Sequence, residues 1–307
     1  MISFQSLHFS RNIKYPLSPF LERLRYLFGL AVIITALHHT YPASSFAEGS
    51  FRAEDKGQLT FGIYPYDTPT SIYESFSPLL KELSKKLGMP VKIVIAPNYM
   101  SHVVNMGTGK IDIGFMGPSP YIRAKDKFGG VELLAKLRMK EDKIDSMVII
   151  THKGSGIKSL KDLKGKTFAF GDPQSYGSHF YPRYLLNKAG VRLNDLKYYD
   201  YLGGHSKVIL AVSHRDFDAG GVRADIYEKY RERPVKVIAG PYNIPPHVIV
   251  CRKGLPEILK NKIKDALLKI DDKGVLNSID PNLTGFQPVK DSDFSQARAV
   301  VNFIEGR

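Results

Sequence analysis

From residue 58 onward, short apolar runs alternate with longer stretches whose apolar positions recur every three or four residues. QLTFGIYP (58–65) predicts a strand. SIYESFSPLLKELSKKLG (71–88) predicts a helix, with Ile72, Phe76, Leu79, Leu80, Leu83 and Leu87 on one face and Gly88 to close it. VKIVIAP (91–97) is a strand, YMSHVVNMGTGK (99–110) a short helix and IDIGFMG (111–117) a strand. SPYIRAKDKFG (119–129) is a helix with Ser119 as cap and Pro120 at its first position. VELLAKLR and SMVIITHK follow as two further strands. This is the βαβ rhythm of an α/β sheet covered by helices.

The rhythm then repeats. KTFAF (166–170), LKYYDYLG (196–203), FDAGGV (217–222) and VKVIAG (235–240) read as strands. SHFYPRYLLNKAG, HSKVILAVSHRD and ADIYEKYRER read as the helices between them. HVIVCRK (247–253) resembles MVIITHK in composition, and the two are expected to be paired crossovers between lobes. The tail, PEILKNKIKDALLKID and DSDFSQARAVVNFIEG, is helical and expected on the first lobe. The predicted architecture is two α/β domains joined by two crossover strands. Residues 48–150 and 247–307 form a discontinuous first domain and 151–246 a continuous second one.

The first 47 residues depart from this pattern. Arg11, Lys14, Arg23 and Arg25 precede an apolar run, YLFGLAVIITAL (26–37), followed by a polar stretch in which Ser45 and Ala47 fit a small-x-small cleavage site. This predicts a secretory signal peptide over 1–47, removed after Ala47. The run of about 12 apolar residues falls short of the roughly 20 that span a bilayer; an uncleaved anchor is the alternative. The one cysteine, Cys251, lies in an apolar run and reads as a buried thiol without a disulfide partner. The formal net charge of +14, less the four basic residues and one acid of the leader, leaves about +11 for the exported chain. Such a surface suits anionic ligands or membranes. Export argues against nucleic acid, and the lysines are scattered as on solvated helix faces.

In open α/β sheets, ligands sit beyond the carboxyl ends of the strands. The chemistry-bearing residues gather there: YPYDTPT with Tyr66, PNY with Tyr99 and GPSPY with Tyr121 in the first block. GDPQSYGSH with Ser175, Tyr176, Gly177, Ser178 and His179, GGHS with His205, and GGVRAD with Arg223 and Asp225 follow in the second. Serine hydroxyls, glycine backbones and helix N-termini supply donors for an oxyanion without a full counter-charge. The six histidines beyond the leader show no metal-ligand spacing such as HExxH, and no cofactor is implied. An enzyme would need a nucleophile with a base; Ser175 with His205 could form such a pair, but no orienting third residue stands out.

In order along the chain, QLTFGIYP, LLKELSKKLGMPV, APNY, GKIDIGFMGPSPY, SGIKSLKDLKGKTFAFGDPQS, GGH, FDAGGVR and IPPHVIVCRKGLP resemble the substrate-binding proteins of phosphonate, phosphite and phosphate ABC importers, over about residues 57–305. GKIDIGFMGP followed by SLKDLKGKTFAFGDP is the most specific combination. The resemblance implies the second-class periplasmic-binding-protein fold. It implies lobes that close on a small anionic ligand, acting as a monomer in the periplasm and delivering to an inner-membrane ABC permease. The family's phosphonyl cradle, Ser-Thr-Ser-Gly, keeps its first serine as Ser175 and is otherwise Tyr176, Gly177 and Ser178. Tyr99 and His205 match ligand-contacting residues. A tyrosine expected before the first crossover is Ile144. Of two carboxylates that meet the amine of aminoalkylphosphonates, one matches Asp225 and the other position holds His247. Alternatives are a sulfonate, a thiamine-precursor-like ring or a metal chelate as ligand, or a sensor that reports to a membrane receptor.

Overall fold

In the computed structural model of the protein the described residues are 57–141 and 144–307; the expected export signal lies outside them. Among the described residues no helix is long and apolar enough to cross a membrane. The first sheet is built from β1 (Leu59–Ile63), β2 (Val91–Ile95), β3 (Ile113–Met116), β4 (Val131–Met139), β10 (Val248–Arg252) and β11 (Leu283–Gln287) in the order β11-β4-β10-β3-β1-β2. β1 runs parallel to β2 and β3, while β10 is antiparallel to both β3 and β4. The second sheet has the order β7-β6-β8-β5-β9, from β5 (Ser146–His152), β6 (Thr167–Phe170), β7 (Tyr198–Tyr201), β8 (Ala219–Arg223) and β9 (Val235–Asn243).

The helices are α1 (Pro69–Leu87), α2 (Tyr99–Gly107), α3 (Pro118–Phe128), α4 (Tyr181–Lys188), α5 (His205–Ser213), α6 (Ala224–Lys229), α7 (Glu257–Leu268), α8 (Lys273–Ile279) and α9 (Ser295–Glu305). α1 starts where the Thr68 hydroxyl accepts the Ser71 N–H and stops at Gly88, whose φ of 71° places it in the left-handed region. Strand residues alternate between two cores, as a period of two requires. Ile113, Phe115, Ile249 and Cys251 face a core with the buried side of α1, α7 and α8. Met116, Val248 and Val250 face the opposite core with α2, α3 and α9. Cys251 is fully buried, and burial pushes its thiol up to about 12.

Two expectations are corrected. The expected boundary after Ile150 and the expected pairing of β5 with β10 as crossovers differ from the sheets. β5 lies wholly in the second sheet and β10 wholly in the first. The chain therefore changes sheets in the links at 140–145 and 244–247. Both strands are central and buried on both faces, so their composition matched without their pairing. The tail is the second correction. α7, α8 and β11 join the first lobe, but α9 also packs against α4 and the turn that precedes it in the second lobe. Its Ala297, Val300, Val301 and Ile304 share a core with Tyr121 and Phe180, and Phe303 meets the Tyr184 ring edge-on at 5.6 Å. α8 and β11 were not anticipated, because KGVLNSI and LTGFQ are too short to show a period.

Candidate oxyanion site

A narrow cavity lies between the lobes. The first lobe supplies Tyr64 and Tyr66 after β1, Tyr99 at the start of α2, and Gly117, Pro118 and Pro120 around the start of α3. From the second lobe come Ser175, Tyr176 and Gly177 after β6, His205 at the start of α5 and Arg223 at the end of β8. Ile244 and His247, from the second link, close the wall.

Arg223 is largely covered beside this wall, with 14% of its side chain exposed. Its guanidinium donates to both oxygens of Asp225 at 2.8 and 3.1 Å and to Asp145 at 3.0 Å, and its Nη1 lies 2.7 Å from His247 Nδ1. Burial opposes the charge on Arg223, but the carboxylates of Asp225 and Asp145 hold its pKa well above the ordinary value. Burial alone would raise Asp225; the guanidinium outweighs it and brings that carboxyl down to about 2. Asp145 stays raised, because burial exceeds what Arg223 returns. Arg223 thus ties together β8 and both links between the lobes.

A hydrogen-bonded chain leads from this clasp into the cavity. The Nε2 atom of His247 is 2.7 Å from the Tyr64 hydroxyl, and its ring lies flat on Phe115, centroids 4.7 Å apart and planes 6° off parallel. Tyr64 in turn packs against Tyr99, with ring centroids 4.1 Å apart. Gly117 permits this approach: a Cβ there would come within 2.9 Å of the Tyr64 hydroxyl and 3.3 Å of His247 Nε2. On the other wall, His205 Nδ1 accepts the backbone N–H of Arg223 at 3.1 Å. Burial lowers His205 to about 4 and holds His247 well below its ordinary value, so both are neutral near pH 7. Burial likewise raises Tyr64, Tyr66 and Tyr99, which keep their protons.

The turn after β6 is a single wide helical turn, Tyr176–Phe180, capped by Ser175, whose Oγ accepts the Ser178 N–H at 3.1 Å. The N–H groups of Tyr176 and Gly177 have no partner among the described residues and belong to the cavity wall. The arrangement can surround an oxyanion with neutral donors, while the guanidinium of Arg223 is occupied by carboxylates.

A family model described as "ABC transporter, phosphonate, periplasmic substrate-binding protein" matches residues 61–294. The chain belongs to this family. It is 28% identical over 266 residues to the phosphonates-binding periplasmic protein of Escherichia coli K12, covering 81% of this chain and 78% of that protein. It is 29% identical over 178 residues to a probable ABC transporter phosphite binding protein, PhnD1, of Prochlorococcus marinus MIT 9301, covering 55% of this chain and 59% of that one. Among solved structures, the binding protein component of an ABC phosphonate transporter from Pseudomonas aeruginosa superposes with a TM-score of 0.73 at 26% identity, covering 81% of this chain and 86% of that chain. The two-lobed, second-class periplasmic-binding-protein fold expected from the sequence is the fold of this family member.

Of the residues expected at the site, Tyr66, Tyr99, Ser175, Tyr176, Gly177, His205 and Arg223 line the cavity. Tyr121, Ser178, His179 and Asp225 do not. Tyr121 turns to the other core and donates to Asp291 at 2.6 Å. The Ser178 hydroxyl donates to the Gly221 carbonyl at 2.5 Å. His179 is held between the Pro173 carbonyl at 2.7 Å and the Tyr201 hydroxyl at 3.0 Å. Asp225 acts through Arg223. The residues that sequence reasoning missed are Tyr64, Gly117, Asp145, Ile244 and His247 as a wall member. Tyr64 stands beside Tyr66 in the same YPYD segment, and position 247 reads in the sequence only as a missing carboxylate.

This separates two serines that looked alike. Ser175→Ala is expected to weaken oxyanion binding about 5- to 10-fold, a loss near 1 kcal/mol, by removing one donor and one cap. Ser178→Ala is expected to leave affinity within about twofold and to lower stability by about 1 kcal/mol through the orphaned Gly221 carbonyl. Calorimetric titration and urea denaturation of both variants check the pair; equal affinity losses would contradict the geometry.

Proposed function

We propose that this protein binds a small phosphorus oxyanion (phosphonate, phosphite or phosphate) between its lobes and, as a monomer, delivers it to an ABC permease in the inner membrane. On this reading residues 1–47 carry the chain to the periplasm. The observation that supports it most is the set of neutral donors on one small cavity: the N–H groups of Tyr176 and Gly177, Ser175, His205 and Tyr64. Membership of the phosphonate family supports the transport role, and relatives named for phosphonates and for phosphite support the ligand class. Asp225, the carboxylate position tied to amine recognition, is spent on Arg223 at 2.8 Å, and His247 replaces the other. This favours oxyanions without an amine.

Isothermal titration of the purified protein with methylphosphonate, phosphite, phosphate and sulfate tests the reading. Heat of binding with at least one phosphorus oxyanion, stronger than with sulfate, is expected. No heat with any of the three phosphorus compounds overturns it.

A further inference from the structure

We propose that the cavity selects the dianion of its oxyanion over the monoanion, and that His247 is a positioning residue for this choice because it fixes the direction of the Tyr64 hydroxyl. The proposal rests on the function proposed above and narrows it from a ligand class to a protonation state.

The argument is the polarity of each hydrogen bond. Backbone N–H groups of Tyr176 and Gly177 can only donate. Ser175 Oγ already accepts the Ser178 N–H, so its own hydrogen is available to the cavity. His205 Nδ1 accepts the Arg223 N–H, which leaves the ring hydrogen on Nε2. A guanidinium can only donate, and its Nη1 lies 2.7 Å from His247 Nδ1 and 3.2 Å from Nε2. A hydrogen on Nδ1 would face the guanidinium hydrogen across the shorter contact, so Nδ1 is the acceptor and Nε2 carries the hydrogen. That hydrogen goes to the Tyr64 oxygen at 2.7 Å, and the hydroxyl hydrogen of Tyr64 is turned away from His247. Each donor in this chain strengthens the next.

The proton that a monoanion carries beyond its dianion would therefore meet donors on most sides. Only the Tyr66 and Tyr99 hydroxyls lack a partner among the described residues and could reverse to accept it. The carboxylates that act on the site are Asp145 and Asp225 on Arg223, Asp67 and Asp280 near Tyr66, and Asp172 near Tyr99. Asp172, raised by burial to about 6, gains negative charge as pH rises and so disfavours an anion. Its sign is opposite to the effect proposed. The buried histidines stay neutral throughout the range tested.

The experiment is titration of the protein with phosphite, phosphate and methylphosphonate from about pH 5.5 to 9. Their second pKa values rise in that order. Affinity is expected to fall about tenfold per pH unit below each ligand's own second pKa and to level off above it, with the midpoint moving from ligand to ligand. His247→Gln, whose amide can present either oxygen or N–H to Tyr64, is expected to bind about threefold to tenfold more weakly at pH 9 and to show a shallower pH slope. Tyr64→Phe removes the fixed hydroxyl altogether and is expected to flatten the slope in the same direction. A midpoint that stays at one pH for all three ligands would show a protein group titrating and overturn the proposal. So would a flat profile, or slopes in both variants equal to that of the parent. Failure of all three ligands to bind at every pH would instead remove the proposed function itself.

Discussion

Replacing Arg223 with methionine is expected to destabilise the protein by about 3–5 kcal/mol, the usual cost of removing one partner from a buried ion pair. The loss does not fall evenly on its partners. Asp225 keeps 34% of its side-chain surface open and can recover water, whereas Asp145 keeps 4%. Asp145 already has one oxygen without a hydrogen-bond partner, and without the guanidinium it would be a lone charge in a dry link. The sign with pH follows. A carboxylate whose folded pKa is raised destabilises above its unfolded value, near 3.9, and is relieved as pH falls and it protonates. The cost of Arg223→Met is therefore larger at pH 7 than at pH 5. Urea denaturation of parent and variant at both values measures it. A difference below about 1 kcal/mol at pH 7 would show a solvated guanidinium with no structural role in joining the links.

The fold was legible because its signals are local. Apolar runs of four to six residues with helical stretches between them are enough to state two α/β lobes, and they placed Ser175, Gly177 and His205 at strand ends where a cleft forms. What could not be read has a common cause. Tyr64 meets His247 across 183 residues, and Arg223 meets Asp145 across 78; no pattern along the chain encodes such partners. Side-chain direction within a turn was equally hidden. Ser175 and Ser178 lie three residues apart, yet one faces the cavity and the other the Gly221 carbonyl. Tyr121 sits two residues after Ser119, whose hydroxyl crosses to the Gln174 carbonyl at 2.6 Å, while Tyr121 itself points to Asp291. β5 and β10 show the same limit at the scale of a sheet.

Gly177→Val is expected to abolish oxyanion binding, with affinity reduced at least about 100-fold, while the protein stays folded. Its backbone is not in the left-handed region, so a side chain is compatible with the local conformation. A Cβ would lie 3.3 Å from Ile244 Cδ1, 3.5 Å from Arg223 Cγ and 3.8 Å from Met147 Cβ. The nearest of these is the end of a flexible side chain, so alanine is expected to fit with a small adjustment of Ile244. The two methyl groups of valine have no such room: they must enter the cavity or displace Ile244 and Arg223, at the 1–3 kcal/mol typical of overpacking. They also stand beside the N–H groups of Tyr176 and Gly177 that the ligand would need. Thermal unfolding and calorimetric titration of Gly177→Ala and Gly177→Val separate the two effects. Affinity retained in the valine variant would place the oxyanion outside this cavity. Affinity lost only with valine, at a melting temperature within a few degrees of the parent, is the outcome the geometry requires.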